Sequence, residues 1–238
     1  MQLSAITCVV PTRNEAHNIE RFLASVPQDL SLIVVDSSDD NTAETLLRRR
    51  PNKTTLISIR ATIPEARQIG AEAARSEWLL FTNADIVFPE HYFQTLLRYL
   101  DRDCVYGSKL SLDRYRAYYR AVGAGQHLSD RIGIPAASGS NLAVRRRALV
   151  SAGGFDPRLT CNEDSELVWH IKHCGFRVRY APDIPVYATD HRRLERGIAR
   201  KTAHSIARCL ALYSGLGPDH WRTNDWGYWS HRRREDEA

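Results

Sequence analysis

Short apolar runs alternate with helical patterns along the first hundred residues, and this alternation constrains the fold more than any other feature. The apolar runs are 6–10, 32–35, 55–59 and 78–81. Between the first two runs, Ile19, Phe22 and Leu23 recur at the spacing of one helix face. Strands that alternate with helices form a parallel sheet with helices on both faces. The sequence therefore predicts an open α/β sheet around one core.

Turn and capping residues set the expected limits of the elements. We expect Pro11 to end the first strand, because a proline cannot donate a ladder hydrogen bond. Pro64 fits the first turn of a helix, where its missing N–H would have no helical partner. The run 105–110 is predicted to be extended. Asn162 is expected to cap a later helix that carries Leu167.

Hydropathy and cysteine usage exclude two classes of protein. No segment approaches the roughly 18 consecutive apolar residues of a membrane span, and the N-terminus lacks a secretory signal pattern. We therefore expect a cytoplasmic protein. The cysteines are odd in number and scattered, which argues against a disulfide framework or a zinc site and favours reduced, mostly buried thiols. They are Cys8, Cys104, Cys161, Cys174 and Cys209.

The charge balance favours anionic partners. The chain has 33 Lys+Arg against 28 Asp+Glu, a net charge of +5, and nearly all its basic residues are arginines. Guanidinium groups suit the oxygens of nucleotides, diphosphates and anionic lipids, although a coding bias toward arginine gives the same composition. The sequence contains no recognisable nucleic-acid module, so we predict no nucleic-acid binding.

Acidic residues at the ends of strands are candidate ligand-binding residues. Asp36 follows the second strand, and the fourth strand runs on through Asn83 to Asp85. Open α/β sheets bind ligands at the carboxyl ends of their strands, where a carboxylate suits a divalent cation that holds a diphosphate. Either aspartate could instead cap a turn. A later helix opens with Glu163 and Asp164, which could deprotonate a nucleophile.

Six motifs resemble those of the family 2 glycosyltransferases with the GT-A fold and occur in the same order, over roughly residues 4 to 215. They are Val10-Pro11-Thr12-Arg13-Asn14-Glu15, Val35-Asp36-Ser37-Ser38-Asp39-Asp40-Asn41-Thr42, Ala66-Arg67-Gln68-Ile69-Gly70, Asn83-Ala84-Asp85, Gly139-Ser140-Asn141 with Arg145-Arg146, and Glu163-Asp164. The resemblance implies a Rossmann-like, mostly parallel sheet in a single domain, 1–215. Its nucleotide-sugar-binding half is 1–110 and its acceptor-binding half is 111–215, followed by an aromatic and charged tail, 216–238.

The resemblance also implies roles for individual residues. The residues expected at the nucleotide-sugar donor are Pro11, Thr12, Arg13, Glu15, Asp36, Ser38, Arg67, Asn83, Ala84 and Asp85. The residues expected at the acceptor are Gly139, Ser140 and Asn141. Asp164 is the expected general base, and Glu163 either replaces it or orients an arginine. Asp85 and His191 are the expected ligands of Mn²⁺ or Mg²⁺, with weaker metal affinity because Asn83 replaces the usual acid. The alternative for His191, a lone histidine beside Asp190 and Arg192, is a structural role.

The function implied is inverting transfer of a sugar from a nucleoside-diphosphate sugar to a hydroxyl acceptor, either a saccharide or a lipid-linked molecule. A noncatalytic nucleotide-sugar or glycan binder is the alternative. A nucleotidyltransferase is disfavoured, because 11–15 lacks a glycine- and lysine-rich phosphate loop. The basic amphipathic segment 192–213 predicts either peripheral contact with an anionic membrane or packing on the domain. The aromatic cluster of Trp221, Trp226, Tyr228 and Trp229 fits four roles: shielding the active site, stacking on sugars, contacting a membrane, or fixing the tail to the domain.

Overall fold

The backbone follows the predicted alternation of strands and helices. The computed structural model describes residues 2–159 and 162–195, together with Thr202. Its strands are β1 (Ile6–Thr12), β2 (Ser31–Asp36), β3 (Thr54–Ser58), β4 (Trp78–Phe81), β5 (Ile86–Val87), β6 (Cys104–Tyr106), β7 (Lys109–Ser111), β8 (Leu142–Arg145), β9 (Val178–Tyr180) and β10 (Val186–Ala188). Its helices are α1 (Ala16–Ala24), α2 (Thr42–Arg49), α3 (Ile63–Ala73), α4 (Tyr92–Leu97), α5 (Arg116–Arg131), α6 (Arg146–Ser151), α7 (Glu163–His173) and α8 (Arg192–Glu195).

The strands form a large sheet and a small one. The large sheet has seven strands in the order β3-β2-β1-β4-β8-β6-β9. Within it, β8 runs antiparallel to both of its neighbours, and the other pairs are parallel. The small sheet has the order β5-β10-β7. The predicted α/β architecture with a mostly parallel central sheet is confirmed, and β1, β2 and β4 deliver their carboxyl ends to the same edge.

Apolar side chains fill both faces of the large sheet. Successive residues of a strand point to opposite faces, so Val10 packs with Phe22 of α1 while Val9 packs with Ala66 of α3. The α3 helix approaches the sheet closely at Gly70. A Cβ at this position would lie 2.4 Å from Val9 Cγ1, so no larger residue fits without a shift of the strand. This close packing fixes the distance of α3 from the sheet and therefore the position of Arg67.

One sequence-based limit is wrong, and one run predicted to be extended is interrupted. Pro11 lies inside β1, in register with Val35 of β2. The pairing of β1 with β4 extends only to Val9, so the strand tolerates a residue without an N–H beyond that point. The run 105–110 is divided between β6 and β7, which belong to different sheets. The break falls at Gly107, where a Cβ would lie 2.5 Å from the carbonyl oxygen of Ile184.

Asn162 does not cap α7 in the expected way. It occupies the N-cap position in a left-handed conformation, with φ 60°, and makes no side-chain capping hydrogen bond. The backbone N–H of Ser165 is instead bonded by Asp164 Oδ1 at 2.7 Å. The carboxylate proposed as a base therefore also stabilises the first turn of its own helix.

Several sequence-based expectations concern residues beyond the described ranges. The amphipathic segment 192–213 is described only at α8 and Thr202, and the cluster Trp221, Trp226, Tyr228 and Trp229 lies outside the described residues, as do Cys161 and Cys209. Cys8 and Cys104 are free, buried thiols, and Cys174 is free and exposed. No helix in the part of the chain that the structure describes is long and apolar enough to cross a membrane.

Candidate active site

The ends of β1 and β2 hold Asp36 in a fixed orientation. Parallel pairing places Thr12 beside Asp36. Thr12 Oγ1 and Ser38 Oγ each donate a hydrogen bond to Asp36 Oδ1, both at 2.6 Å. The Asp36 side chain is buried at the strand end. Asp39, by contrast, is exposed and forms an ion pair with Arg60.

The loops that follow β1 and β2 are bonded to each other. Asn14 has a left-handed backbone, with φ 55°, which turns the chain sharply after β1. Its backbone N–H donates to Ser38 Oγ at 2.8 Å, and the Glu15 N–H donates to Thr42 Oγ1 at 2.9 Å. Arg13, between these turns, is partly buried. The segment 11–15 and the turn after Asp36 thus form one wall of the site.

Arg67 projects from α3 into the centre of the site. The helix begins with a capping box in which Thr62 and Glu65 bond each other's backbone N–H groups. Arg67 lies on its buried face and is 2% exposed. One terminal nitrogen of its guanidinium donates to Glu163 Oε1, and the other donates to Asn83 Oδ1 at 3.1 Å. Arg67 therefore links α7 to the end of β4.

The residues after β4 form hydrogen bonds with the turn 138–141, which contains the residues expected at the acceptor. Thr82 Oγ1 donates to the Ser140 carbonyl oxygen at 2.8 Å, and Asn83 Nδ2 donates to Ser140 Oγ at 2.9 Å. Ala84 is buried. Asp85 forms an ion pair with Lys109, whose Nζ lies 2.8 Å from Oδ2. Asn83 thus contacts both proposed halves of the site, whereas Asp85 faces a protein cation.

Gly139 brings the backbone against both Arg67 and Asp164. Its N–H donates to Asp164 Oδ2 at 2.5 Å. A Cβ at Gly139 would lie 2.3 Å from the Arg67 guanidinium, so a side chain here would displace that group. Asn141 points into the interior instead, where its side chain accepts a hydrogen bond from Tyr92 and donates one to the Ile184 carbonyl oxygen. Asn141, one of the three residues expected at the acceptor, therefore supports the turn from the protein interior.

The surroundings of Asp164 make it a stronger base than an ordinary aspartate. Burial raises its pKa to about 6, and the negative charge of Glu163 adds to the increase. The Arg67 guanidinium and the backbone N–H groups of Gly139 and Ser165 act in the opposite direction. A carboxylate with this pKa is still largely ionised at neutral pH and can accept a proton.

His191 is buried beside the small sheet. Its Nε2 lies 2.9 Å from Asp113 Oδ1, and its Nδ1 lies 3.3 Å from the Tyr119 hydroxyl. Hydrogen bonds from Ser111 and His191 lower the pKa of Asp113 well below its usual range. Hydrogen bonds with Asp113 and Tyr119 therefore fix the position of His191, the predicted metal ligand.

A different group has the spacing of metal ligands among the residues that the structure describes. Glu15, His17 and Asp190 each offer one ligand atom within 4.8 Å of the others. The Asn18 amide nitrogen lies between them, 2.7 Å from Glu15 Oε2 and 3.0 Å from His17 Nε2. These hydrogen bonds explain why the three side chains lie close together: they connect α1 to the residues after β10.

Sequence reasoning missed Lys109. This residue is one of few lysines in a chain rich in arginine, but its place beside Asp85 depends on the small sheet. The break at Gly107, which sends β7 into that sheet, carries no turn motif that predicts it. Lys109 could have been found only from the pairing of β7 with β10.

Comparison with known proteins identifies the family. The Glycosyl transferase family 2 domain matches residues 7–150, which include the strand ends and the turn 138–141 described above. The chain belongs to glycosyl transferase family 2. A relative among characterised proteins is the pre-mycofactocin glycosyltransferase of Mycobacterium tuberculosis, 26% identical over 216 residues. The match covers 82% of this chain but only 45% of that protein, so the chain spans about half the length of this family 2 relative.

Solved structures establish the GT-A fold of this family 2 member. The mannosyltransferase PcManGT from Pyrobaculum calidifontis, in complex with GDP-Man and Mn²⁺, has a TM-score of 0.72 at 23% identity. That match covers 92% of this chain and 67% of PcManGT. Residues 1–349 of S. aureus TarS, in complex with UDP-GlcNAc, have a TM-score of 0.60 at 17% identity, and the match covers 78% of this chain and 58% of that fragment.

Proposed function

We propose that this chain is an inverting glycosyltransferase that moves a sugar from a nucleoside-diphosphate sugar to a hydroxyl acceptor. The observation that carries the proposal is the buried contact between Arg67 and Glu163, which joins the donor-side strand ends to the start of α7. A cation suited to phosphate and a carboxylate suited to general-base catalysis are thereby held in one site. Family membership and the GT-A fold support this reaction class.

In this proposal the nucleoside lies along the ends of β1 and β2. Asp36 accepts a hydrogen bond from the base or the ribose, and its fixed orientation through Thr12 and Ser38 reduces the entropy lost on binding. The segment 11–15 lines the same wall. Arg67 provides positive charge toward the diphosphate, and Asn83 provides an amide for the ribose or the sugar.

The oxygen ligands at the end of β4 suit a divalent cation. Mn²⁺ and Mg²⁺ bind carboxylate and amide oxygens, and Asp85 and Asn83 offer both kinds. The ion would stabilise the negative charge that develops on the leaving diphosphate. His191 is a further candidate ligand if it exchanges its contact with Asp113 or Tyr119 for the metal. The complex of PcManGT with Mn²⁺ supports this class of cofactor.

Asp164 acts as the base in the proposed mechanism. Its carboxylate removes the proton from the acceptor hydroxyl, whose oxygen attacks the anomeric carbon as the bond to the diphosphate breaks. Attack from the face opposite the leaving group inverts the configuration. Gly139 and Ser165 orient the carboxylate through their N–H groups, and Glu163 positions Arg67. Gly139 and Ser140 border the space proposed for the acceptor.

The acceptor is proposed to be a saccharide or a lipid-linked alcohol, with peripheral membrane contact in the second case. A cytoplasmic location belongs to the same proposal. A second candidate function, noncatalytic binding of a nucleotide sugar, is favoured by the Lys109 contact, which neutralises Asp85 without a metal. A binder would show affinity for nucleotides without turnover.

Turnover tests the proposal directly. We would incubate the protein with UDP-, GDP- and dTDP-sugars, Mn²⁺ and a panel of simple glycoside acceptors, and measure nucleotide release and the anomeric configuration of the product. We expect Asp164→Asn to lower kcat by about 10²- to 10⁴-fold while nucleotide affinity is kept. Asp101→Asn is the matched control, because the Asp101 side chain is exposed and forms an ion pair with another surface residue, Arg102. Full activity in Asp164→Asn, or a retained configuration, contradicts the proposal.

A further inference from the structure

Lys109 forms an ion pair with Asp85, the carboxylate proposed to bind the metal in the donor site. Its Nζ lies 2.8 Å from Asp85 Oδ2, and the two side chains are 18% and 23% exposed. At this distance the ammonium group donates a charge-assisted hydrogen bond to the carboxylate. The contact spans 24 residues of sequence, so the fold rather than local chain geometry creates it.

The small sheet fixes the position of this pair. Lys109 opens β7 and is in register with Val186 of β10. The other edge of β10 pairs with β5, which begins directly after Asp85. The Thr189 N–H, just beyond β10, donates to the Asp85 carbonyl oxygen at 2.8 Å. Lys109 and Asp85 are therefore held by opposite edges of the same strand.

This pairing creates a conflict for a divalent cation. A metal ion on the Asp85 carboxylate would lie within a few ångströms of the Lys109 ammonium, and like charges at that separation repel strongly in a partly buried site. A diphosphate changes the balance, because its oxygens offer the ammonium another anionic partner. Lysine binds phosphate as a compact point charge on a flexible stem and can follow that partner.

We propose that Lys109 is the resident counter-ion of Asp85 and that it moves to the diphosphate of the donor when metal and nucleotide bind together. The metal site is then available only in the presence of the nucleotide, and Lys109 is a donor-binding residue. This inference rests on the proposed function, which supplies the diphosphate and the cation.

Mn²⁺ titration, followed by the electron paramagnetic resonance signal of the free ion, tests the inference without a turnover assay. Wild type and Lys109→Gln would be compared with and without UDP and GDP. Without nucleotide, we expect the neutral variant to bind Mn²⁺ about tenfold more tightly, because a like charge has been removed. With nucleotide, we expect this advantage to disappear, and the variant to bind the nucleotide about tenfold more weakly than wild type.

Two lysine variants serve as controls. Lys53→Gln removes the same charge just before β3 of the large sheet, where Lys53 Nζ donates to the Asp29 carbonyl oxygen at 2.9 Å, and it should behave as wild type. Lys109→Arg keeps the charge and should keep the weak binding of Mn²⁺ alone. Lys109→Ala is a second neutral variant if Lys109→Gln does not fold.

Equal affinity for Mn²⁺ alone in wild type and in both neutral variants overturns the inference. So does a wild type that binds nucleotide but takes up no Mn²⁺ in its presence; sugar transfer could still be demonstrated by product formation, so the proposed function would survive. If wild type binds neither Mn²⁺ nor any nucleotide and forms no product, the inference and the proposed function both fail.

Discussion

Arg67 of α3 and Glu163 of α7 form a buried ion pair across 96 residues of sequence. A buried charge pair needs further hydrogen bonds to offset the loss of solvent, and Asn83 supplies one to the same guanidinium. The pair therefore ties three parts of the chain together: the helix after β3, the end of β4 and the start of α7. Because Asp164 follows Glu163 directly, the position of the proposed base depends on the position of Arg67.

Substitution of Gly139 tests that dependence. The added Cβ of Gly139→Ala would lie 2.3 Å from the Arg67 guanidinium, which must then leave Glu163 or Asn83. We expect affinity for UDP or GDP, measured by calorimetry, to fall by about 10- to 100-fold, because the displaced cation no longer faces the diphosphate.

Gly125→Ala is the matched control for this substitution. Gly125 is exposed in α5, and a Cβ there has no heavy atom within 4 Å apart from its own helix backbone and chain neighbours. Alanine should stabilise the helix by about 0.5–1 kcal/mol and leave nucleotide affinity unchanged. If Gly139→Ala bound UDP or GDP with wild-type affinity, Arg67 would have no role in binding the diphosphate.

The pH dependence of turnover reports the charge of Asp164. The base must be ionised, and its pKa is raised to about 6, so activity should be lost as the pH falls through that value. At one pH unit below the pKa, roughly a tenth of the carboxylate is ionised and kcat/KM should fall about tenfold. A profile that stays flat down to pH 4.5 would exclude Asp164 as the base.

Glu163→Gln should move this acid limb to lower pH. The Glu163 charge raises the pKa of Asp164, and its removal leaves the lowering effect of Arg67 in place. The pH profile of kcat/KM distinguishes this effect from a general loss of activity, which would lower the whole curve without moving its limb. Glu44→Gln, at a side chain that is 76% exposed on α2, should leave the limb where it is.

Acids at strand ends are easier to find in the sequence than residues whose positions depend on tertiary pairing. Asp36 and Asp85 could be found because an apolar run that ends on an acid is readable from local pattern alone. Asn141 could not be assigned to the interior, since its partners Tyr92 and Ile184 lie 49 and 43 residues away in sequence. Lys109 was missed for the same physical reason. Contacts made by tertiary pairing leave no periodic signal in the chain.

Asp36 and Asp39 should differ sharply in their effect on nucleotide binding. Asp36 is buried and held by Thr12 and Ser38, whereas the exposed Asp39 pairs with Arg60. We expect Asp36→Asn to weaken binding of the preferred nucleoside diphosphate by about tenfold or more, because a charge-assisted hydrogen bond is lost. Asp39→Asn should stay within about threefold of wild type by calorimetry. Equal losses in both variants would contradict a specific role for Asp36.

Arg50 should matter for stability without affecting the site. Its buried guanidinium donates to the carbonyl oxygens of Val26, Pro27 and Leu30, at the end of β2 remote from Asp36. Arg50→Ala leaves these carbonyls without their donor, so we expect the free energy of unfolding in urea to fall by about 2–5 kcal/mol. Arg49→Ala, at an exposed surface ion pair, should cost about 1 kcal/mol or less. Nucleotide affinity of the folded Arg50→Ala protein should match wild type, because the two ends of the strand do not share contacts.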